Sequence, residues 1–355
     1  MKKISIILLF LSIGLNLIAQ DVHHSQFNST LLIYNPALTG QSEKYFRAGL
    51  DVRYQWNIYK TYSFFLDKSI CQNTFKRDKL GIGLFFYNDK AGDGDLKTSE
   101  AAMSASYSKC LNGNRSLFFS LGASIGWVTK SISYNNLQFL SQYTGLTYDP
   151  TLPADLSEAN TSSNYIDFNG GCLLDYHPHS MFGFSLGYSL NHINKPTYTF
   201  INSDQRLPWK SVIHGSASAK INNYLEFEPF IYYSTQGIAD ELLIGSQFSI
   251  LISELEYHRN NPNKNIVKYR TLKRKDKEDF YFLSGLTFRA TPFRDIIAFI
   301  GFDYNKYYFT ISYDENINTG KEILKRRGGI EFSFVKKLPC SNKRKECNNA
   351  DCYSY

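Results

Sequence analysis

Apolar and polar positions alternate with a period of two through most of the chain. Over 181–191, Phe182, Phe184, Leu186, Tyr188 and Leu190 alternate with Gly183, Ser185, Gly187, Ser189 and Asn191. Over 117–128, Leu117, Phe119, Leu121, Ala123, Ile125 and Trp127 alternate with a set containing Ser120, Gly122, Ser124 and Gly126. Over 306–314, Tyr307, Phe309, Ile311 and Tyr313 alternate with Lys306, Tyr308, Thr310, Ser312 and Asp314. Each segment has one greasy face and one small or polar face, which is the signature of a strand. The pattern predicts fourteen strands, near 45–57, 60–70, 79–89, 96–110, 115–133, 164–176, 181–193, 209–220, 225–236, 241–258, 279–289, 295–304, 306–314 and 326–336. Many are longer than the ~5–6 residues usual in soluble proteins and reach the ~9–11 residues a membrane strand needs. No helical segment of comparable strength interrupts them.

A soluble sandwich would bury the apolar faces between two sheets. A transmembrane barrel would turn them to lipid and line its lumen with Gly, Ser, Asn and charge. Four features favour the antiparallel outer-membrane barrel. The strands are long, and Tyr and Trp recur near strand ends, where interfacial belts sit. The chain opens like an export signal: Lys2 and Lys3, an apolar run from Ile4 to Ile18, then Ala19-Gln20 as the cut. Finally, the connections alternate in length. If the N-terminus is periplasmic, 89–96, 134–163, 194–208 and 315–325 face outward, while 111–114, 177–180, 221–224 and 305 are tight periplasmic turns. The domain reading is a signal peptide at 1–19, an N-terminal periplasmic segment at 20–44, the barrel at 45–336, and a basic, Cys-containing tail at 337–355. After residue 20 no run of 18 apolar residues offers a membrane helix.

Composition supports sheet: 16% of residues are aromatic, with 27 Phe and 26 Tyr, types that favour strands. The formal charge of +7 is modest, and no nucleic-acid motif accompanies it, so nucleic acid is not an expected partner. The exception to the loop parity is 259–278, a long periplasmic connection with eight Lys/Arg against two acids. Its Arg270, Lys273, Arg274, Lys275 and Lys277 form a candidate dock for an acidic periplasmic partner; solvated loop is the plainer reading. Six cysteines contain no CxxC pair. Cys340, Cys347 and Cys352 cluster in the tail, where one disulfide or free thiols are both open.

Catalytic motifs such as GxSxG, HExxH or a P-loop are absent, no cofactor is implied, and no enzyme is expected. His177 and His179 flank Pro178 in a predicted turn without an evident third ligand, so they read as surface residues. His23 and His24 read as exposed and inert. Asp303 and Asp314 fall on inward faces. The segment Asn88–Glu100 nearly spells an EF-hand loop, with Asp89, Asp93, Gly94 and Glu100 at positions 1, 5, 6 and 12. Its flanks alternate like strands, and Ala91 offers no ligand at position 3. The preferred reading is a tight hairpin in which Gly92 and Gly94 take positive φ and Asp89, Asp93 and Asp95 cap turn amides.

Several segments in order resemble the PorP/SprF family of type IX secretion and gliding proteins of Bacteroidetes. They are SQFNSTLLIYNPALTG at 25–40, with Asn35, Pro36, Ala37 and Gly40; RAGLDVRYQW at 47–56; and GIGLFFYNDKAGDGDLKT at 81–98, with Asn88, Asp89, Lys90, Ala91, Gly92, Asp93 and Gly94. LNHINKP at 190–196 adds His192, Asn194 and Pro196; STQGIADELLIG at 234–245 adds Gln236 and Gly237; YYFTISYDENI at 307–317 also fits. The long basic connection and the Cys-rich end depart from the pattern. The resemblance implies an outer-membrane component with protein partners, both periplasmic machinery and secreted adhesin-type substrates. A porin or hydrophobic-solute transporter is the alternative function.

Overall fold

The computed structural model describes residues 21–339 except 22–23, 27–28, 43–44, 56–58, 71–77, 93, 134–136, 146, 154–160, 180, 201–203, 257–276, 292–293, 305 and 318–327. The described strands are β1 (Tyr45–Gln55), β2 (Tyr59–Ile70), β3 (Lys79–Ala91), β4 (Leu96–Cys110), β5 (Leu117–Ser131), β6 (Tyr143–Thr144), β7 (Thr147–Tyr148), β8 (Ser162–His179) and β9 (Phe182–Asn191). They continue as β10 (Thr197–Thr199), β11 (Asp204–Arg206), β12 (Lys210–Lys220), β13 (Leu225–Gln236), β14 (Ala239–Glu256), β15 (Lys277–Thr291), β16 (Asp295–Tyr304), β17 (Tyr307–Asn316) and β18 (Gly329–Pro339). Fourteen of them close an antiparallel barrel, with β1 pairing β18 from Tyr45↔Pro339 to Gln55↔Gly329. The other four form two hairpins, β6–β7 and β10–β11, inside the long connections that follow β5 and β9. No described helix is long and apolar enough to cross a membrane.

The period-two pattern decides which face each residue takes. Leu50, Ile82, Leu84, Phe86, Leu121, Trp127 and Leu186 point outward and are exposed. Their neighbours Asp51, Ser63, Ser104, Ser120 and Asp167 point inward and are buried. In water such an outer surface would be an aggregation hazard; it has the character of the face that a membrane barrel turns to lipid.

The N-terminal segment departs from expectation. Residues 24–26 and 29–41 do not lie beside the barrel in the periplasm; they lie within its lumen. A short helix, Leu31–Tyr34, and a 3-10 turn, Pro36–Leu38, pack against the inner wall. Leu32 buries against Phe65, Phe85, Tyr87, Ala102 and Val335, and Tyr34 against Val212, Phe230, Tyr232, Leu243 and Ile297. The lumen is therefore less polar than the sequence suggests. Those inward aromatics and aliphatics are the wall's half of a small hydrophobic core, whose other half is the plug's Leu32 and Tyr34.

Candidate functional site

The plug is built from its own motif outward. Asn35 sits at the N-cap of the 3-10 turn, and its Oδ1 accepts from the Ala37 N–H at 2.9 Å. Pro36 occupies the first position of that turn, where a missing N–H costs nothing. The Asn35 amide then reaches the wall: Nδ2 donates to the Cys172 carbonyl at 3.1 Å and lies 3.0 Å from His214 Nε2. The wall gives way to let the backbone in. A Cβ on Gly122 would stand 2.3 Å from Ala37 N, and one on Gly81 would stand 2.2 Å from Thr39 O, so only glycine fits either position. Gly40, at φ +66°, turns the chain and donates to Asp67 Oδ2 at 2.6 Å. Asp67 is itself held by Arg47 through two bonds at 2.7 and 2.9 Å.

Before this anchor, the chain runs along a charged sector of the wall. His24 is buried, contrary to its exposed reading, with Nδ1 3.1 Å from Asp51 Oδ1. Glu331 accepts the backbone N–H of Ser25 at 2.7 Å and of Gln26 at 2.8 Å. The hydroxyls of Ser25 and Ser29 meet Asp314 and Ser333, and Gln26 meets Thr310. Behind them, Arg53 pairs with Asp314 at 2.9 Å and Glu331 at 3.6 Å. Arg289 pairs with Glu241 at 3.0 Å and Asp295 at 2.7 Å. His24, Asp51 and Glu331 bring ligand-type atoms within 4.8 Å of one another. The donor set does not fit a metal: all four carboxylate oxygens already accept, from His24, Ser333, Ser25 and Gln26, and Arg53 supplies the positive charge.

At the end of the barrel where β9 finishes, Asp21 ties the exit of β9 to β12 and β13. Its carboxylate lies 2.7 Å from His192 Nε2 and 3.7 Å from Lys210 Nζ, and its N–H donates to Gln236 Oε1 at 3.2 Å. His192 Nδ1 lies 3.0 Å from Asp167. Burial alone would depress the imidazole, but the Asp21 and Asp167 carboxylates outweigh it and hold His192 up at about 10. Asp21, Glu100, Asp167, Asn191, His192 and Lys210 line a cavity of about 30 Å³, enough for water but far below the ~300 Å³ of a small-molecule pocket. Above it, hairpin β10–β11 folds inward. Tyr198 and Leu207 bury against Val128 and Tyr165, with the Lys130 ammonium 4.6 Å from the Tyr198 ring centre.

The sequence matches the family of type IX secretion system membrane proteins PorP/SprF over residues 16–334. The chain belongs to this family. No curated relative matches. The fold is similar to that of a TodX monoaromatic hydrocarbon channel mutant, at TM-score 0.51 and 10% identity, over 88% of this chain and 94% of that one. Also similar are the toluene transporter TbuX of Ralstonia pickettii, at TM-score 0.47, 10% identity and 87% and 94% coverage, and a FadL homologue of Pseudomonas aeruginosa, at TM-score 0.49, 11% identity and 88% and 96% coverage. At these identities the likeness concerns the fold alone. This PorP/SprF protein is an outer-membrane β-barrel of the type IX secretion system.

The structure brings some motif residues of the PorP/SprF chain together. Asn35, Pro36, Ala37 and Gly40 form the anchor; His192 and Gln236 both hold Asp21. His192 takes φ +59° as the chain leaves β9. Asn194 then ties the loop to β8, donating to Ile166 O at 2.7 Å and accepting from Phe168 N–H at 3.2 Å, and Pro196 O accepts from Leu207 N–H. Gly237, at φ +63°, makes the β13–β14 turn.

Asn88–Gly94 lies apart, at the β3–β4 hairpin. Asn88 donates to Ser99, Asp89 accepts from Thr61, and Lys90 pairs with Asp95 at 2.6 Å. Ala91 ends β3, and Gly94 O accepts from Ser133 N–H. Positive φ falls on Gly92 and Asp95, not on Gly94; aspartate tolerates that region, and Lys90 holds its side chain. Asp93 lies outside the described residues, as do Arg270, Lys273, Arg274, Lys275 and the tail cysteines. Lys277 opens β15, opposite Glu256. His177 also moves: it lies within β8, half-buried, 3.0 Å from Asp175, while His179 stays exposed.

Proposed function

We propose that the chain is a non-enzymatic, closed barrel that serves type IX secretion by binding protein partners rather than by conducting solutes. The observation that carries this reading is the lumen: residues 24–26 and 29–41 of the chain itself occupy it. The partners are periplasmic machinery components and secreted surface proteins of adhesin type. The basic connection 259–278 is the proposed periplasmic contact, through Arg270, Lys273, Arg274, Lys275 and Lys277, for an acidic partner. The hairpin at Asn88–Gly94, on the outward side, is a second candidate contact.

Crosslinking in the native membrane tests the reading. Adducts to other type IX components are expected, and charge reversal at Lys273, Arg274 and Lys275 should reduce the periplasmic ones. Unchanged adducts after charge reversal would remove the basic contact. Absence of adducts altogether would remove the partner-binding reading.

A further inference from the structure

The outer wall of β2, β3 and β4 is graded in chemistry from its middle to the end that carries the β3–β4 hairpin. Cross-strand register sorts it into rows. Phe64, Phe86, Ala101 and Trp127 stand side by side, and the three rings are exposed. Two residues further along each strand come Tyr62, Asn88, Ser99 and Thr129, a row of hydroxyls and one amide. Two residues further again, Lys60 faces Lys90, and Lys90 faces Lys97. Thr61, Tyr87 and Glu100, at alternate positions, are buried inside, which places all three rows on the outside. Neighbouring strands lie about 4.8 Å apart, so the three lysines share roughly 10 Å of rim. Like charges directly opposite one another destabilise a sheet. Among the described residues, Asp95 is the acid that answers them, 2.6 Å from Lys90. Lys60 and Lys97 are exposed and form no ion pair with a described acid.

We propose that this wall binds a phosphorylated glycolipid of the lipid A type. Its phosphates sit on Lys60, Lys90 and Lys97, its sugar hydroxyls meet the row from Tyr62 to Thr129, and its acyl chains lie along Phe64, Phe86 and Trp127. The inference rests on the membrane barrel and not on the partner-binding reading. The rows follow the order of such a lipid, from chain through sugar to phosphate. Four residues of strand separate the ring row from the lysine row, about 13 Å, and lysine stems reach back towards the headgroup. Two positive charges remain after Asp95 is counted, and an anion removes the repulsion that the bare row carries. A disaccharide bearing phosphate matches a rim three strands wide with hydroxyls and an amide beneath it; a single glycerol phosphate would leave most of that rim without a partner. The lysines lie at the end of the long connections after β5 and β9, the end that barrels of this class turn outward. At the opposite end of the same strands, Lys68 stands opposite Ile82 and Lys109 opposite Phe119, so these two lysines form no such row.

Titration of the purified full-length barrel in detergent with bisphosphorylated lipid A, read by native mass spectrometry, tests this. Each lysine beside an anionic headgroup is worth about a fivefold change in affinity, so Lys60→Gln with Lys97→Gln should weaken lipid A binding about 25-fold. Lys68→Gln with Lys109→Gln, at the far end of the strands, should change it less than about twofold, because charges that distant are screened. Phosphatidylglycerol, with one phosphate and no sugar ring, should bind the wild type at least about tenfold more weakly than lipid A, for want of the hydrogen bonds to the middle row. Lipid A should also raise the melting temperature of the wild type more than that of the Lys60/Lys97 variant. Equal affinity of wild type and Lys60/Lys97 variant, or an equal loss in the Lys68/Lys109 control, would overturn the proposal. So would phosphatidylglycerol binding the wild type as tightly as lipid A, a comparison that needs no variant to fold. None of these results bears on whether the barrel conducts or binds protein partners, so that reading fails or stands separately.

Discussion

Two sectors of the same inner wall treat the same chain differently. The sector from β3 through β5, β8 and β9 is rich in glycine and serine where the anchor meets it. It accepts the plug by shape, with Gly81 and Gly122 admitting backbone and Ser104, Ser106 and Ser189 bonding to it. The sector from β14 through β18 and β1 is dense in charge, and it accepts the plug by pairing, through Asp51, Asp314 and Glu331. Small residues fix a position because nothing else fits there. Charged residues hold a position only while every partner is present, since a buried unpaired charge costs far more than the pair gains. One barrel thus contains a permanent fit and a conditional one.

The contrast can be broken most severely in the charged sector. Arg289→Met leaves Glu241, Asp295 and Asp314 without their shared guanidinium. A loss of about 3–5 kcal/mol is expected, read as a lower urea midpoint at unchanged slope. Gly122→Val tests the shape-fitted sector. Its side chain collides with Ala37 and should cost about 1–3 kcal/mol, and amide hydrogen exchange should rise at 35–40 without rising at 24–26. Equal rise in both would erase the distinction between the sectors. Asn35→Ala removes the cap and the bonds to Cys172 and His214. About 1–2 kcal/mol is expected from loss of the cap, again confined to the anchor.

The smallest effect is a titration where Asp21 meets His192. His192 is raised above its ordinary 6.5 to about 10, with burial opposing and Asp21 and Asp167 prevailing. Asp21 is lowered below its ordinary 3.8, although burial pushes it up, because His192 and Lys210 pull it down. The imidazolium's contribution is then complete below about 6.5 and fades as pH rises through about 10; the Asp21 contribution is present above about 3.8 and fades in acid. The contact should be strongest between those limits. Imidazole NMR should place the His192 titration well above 6.5, and Asp21→Asn should bring it down. An unperturbed titration near 6.5 would contradict the geometry.

The barrel was legible because lipid imposes one rule on every strand. Each predicted strand matches an observed one to within a few residues, since Leu121 or Phe182 on one face and Ser120 or Gly183 on the other leave no other reading. The plug was not legible. Residues 20–44 carry no periodicity, and the feature that receives them, Gly81 with Gly122, is split between strands whose glycines look like ordinary small inward residues. The charged sector escaped for a related reason. Asp51, Arg53, Arg289, Asp295, Asp314 and Glu331 come one or two to a strand, so they form a cluster only after closure joins β18 to β1. Their common signal was present: each is a charge on the small-residue face of a strand. His24 was misread because nothing local distinguishes it from His23. The Asn-Pro-Ala motif stood out by family resemblance, but its role as cap, turn and wall contact needs Cys172 and His214, 137 and 179 residues away.

The central claim is that this barrel is closed by its own chain. Planar-bilayer recording of the purified protein, beside a variant lacking residues 24–41, tests it most directly. The intact protein should show no steady conductance, and the deletion should show steady open channels. Steady, solute-selective channels from the intact protein would contradict the account and favour a transporter.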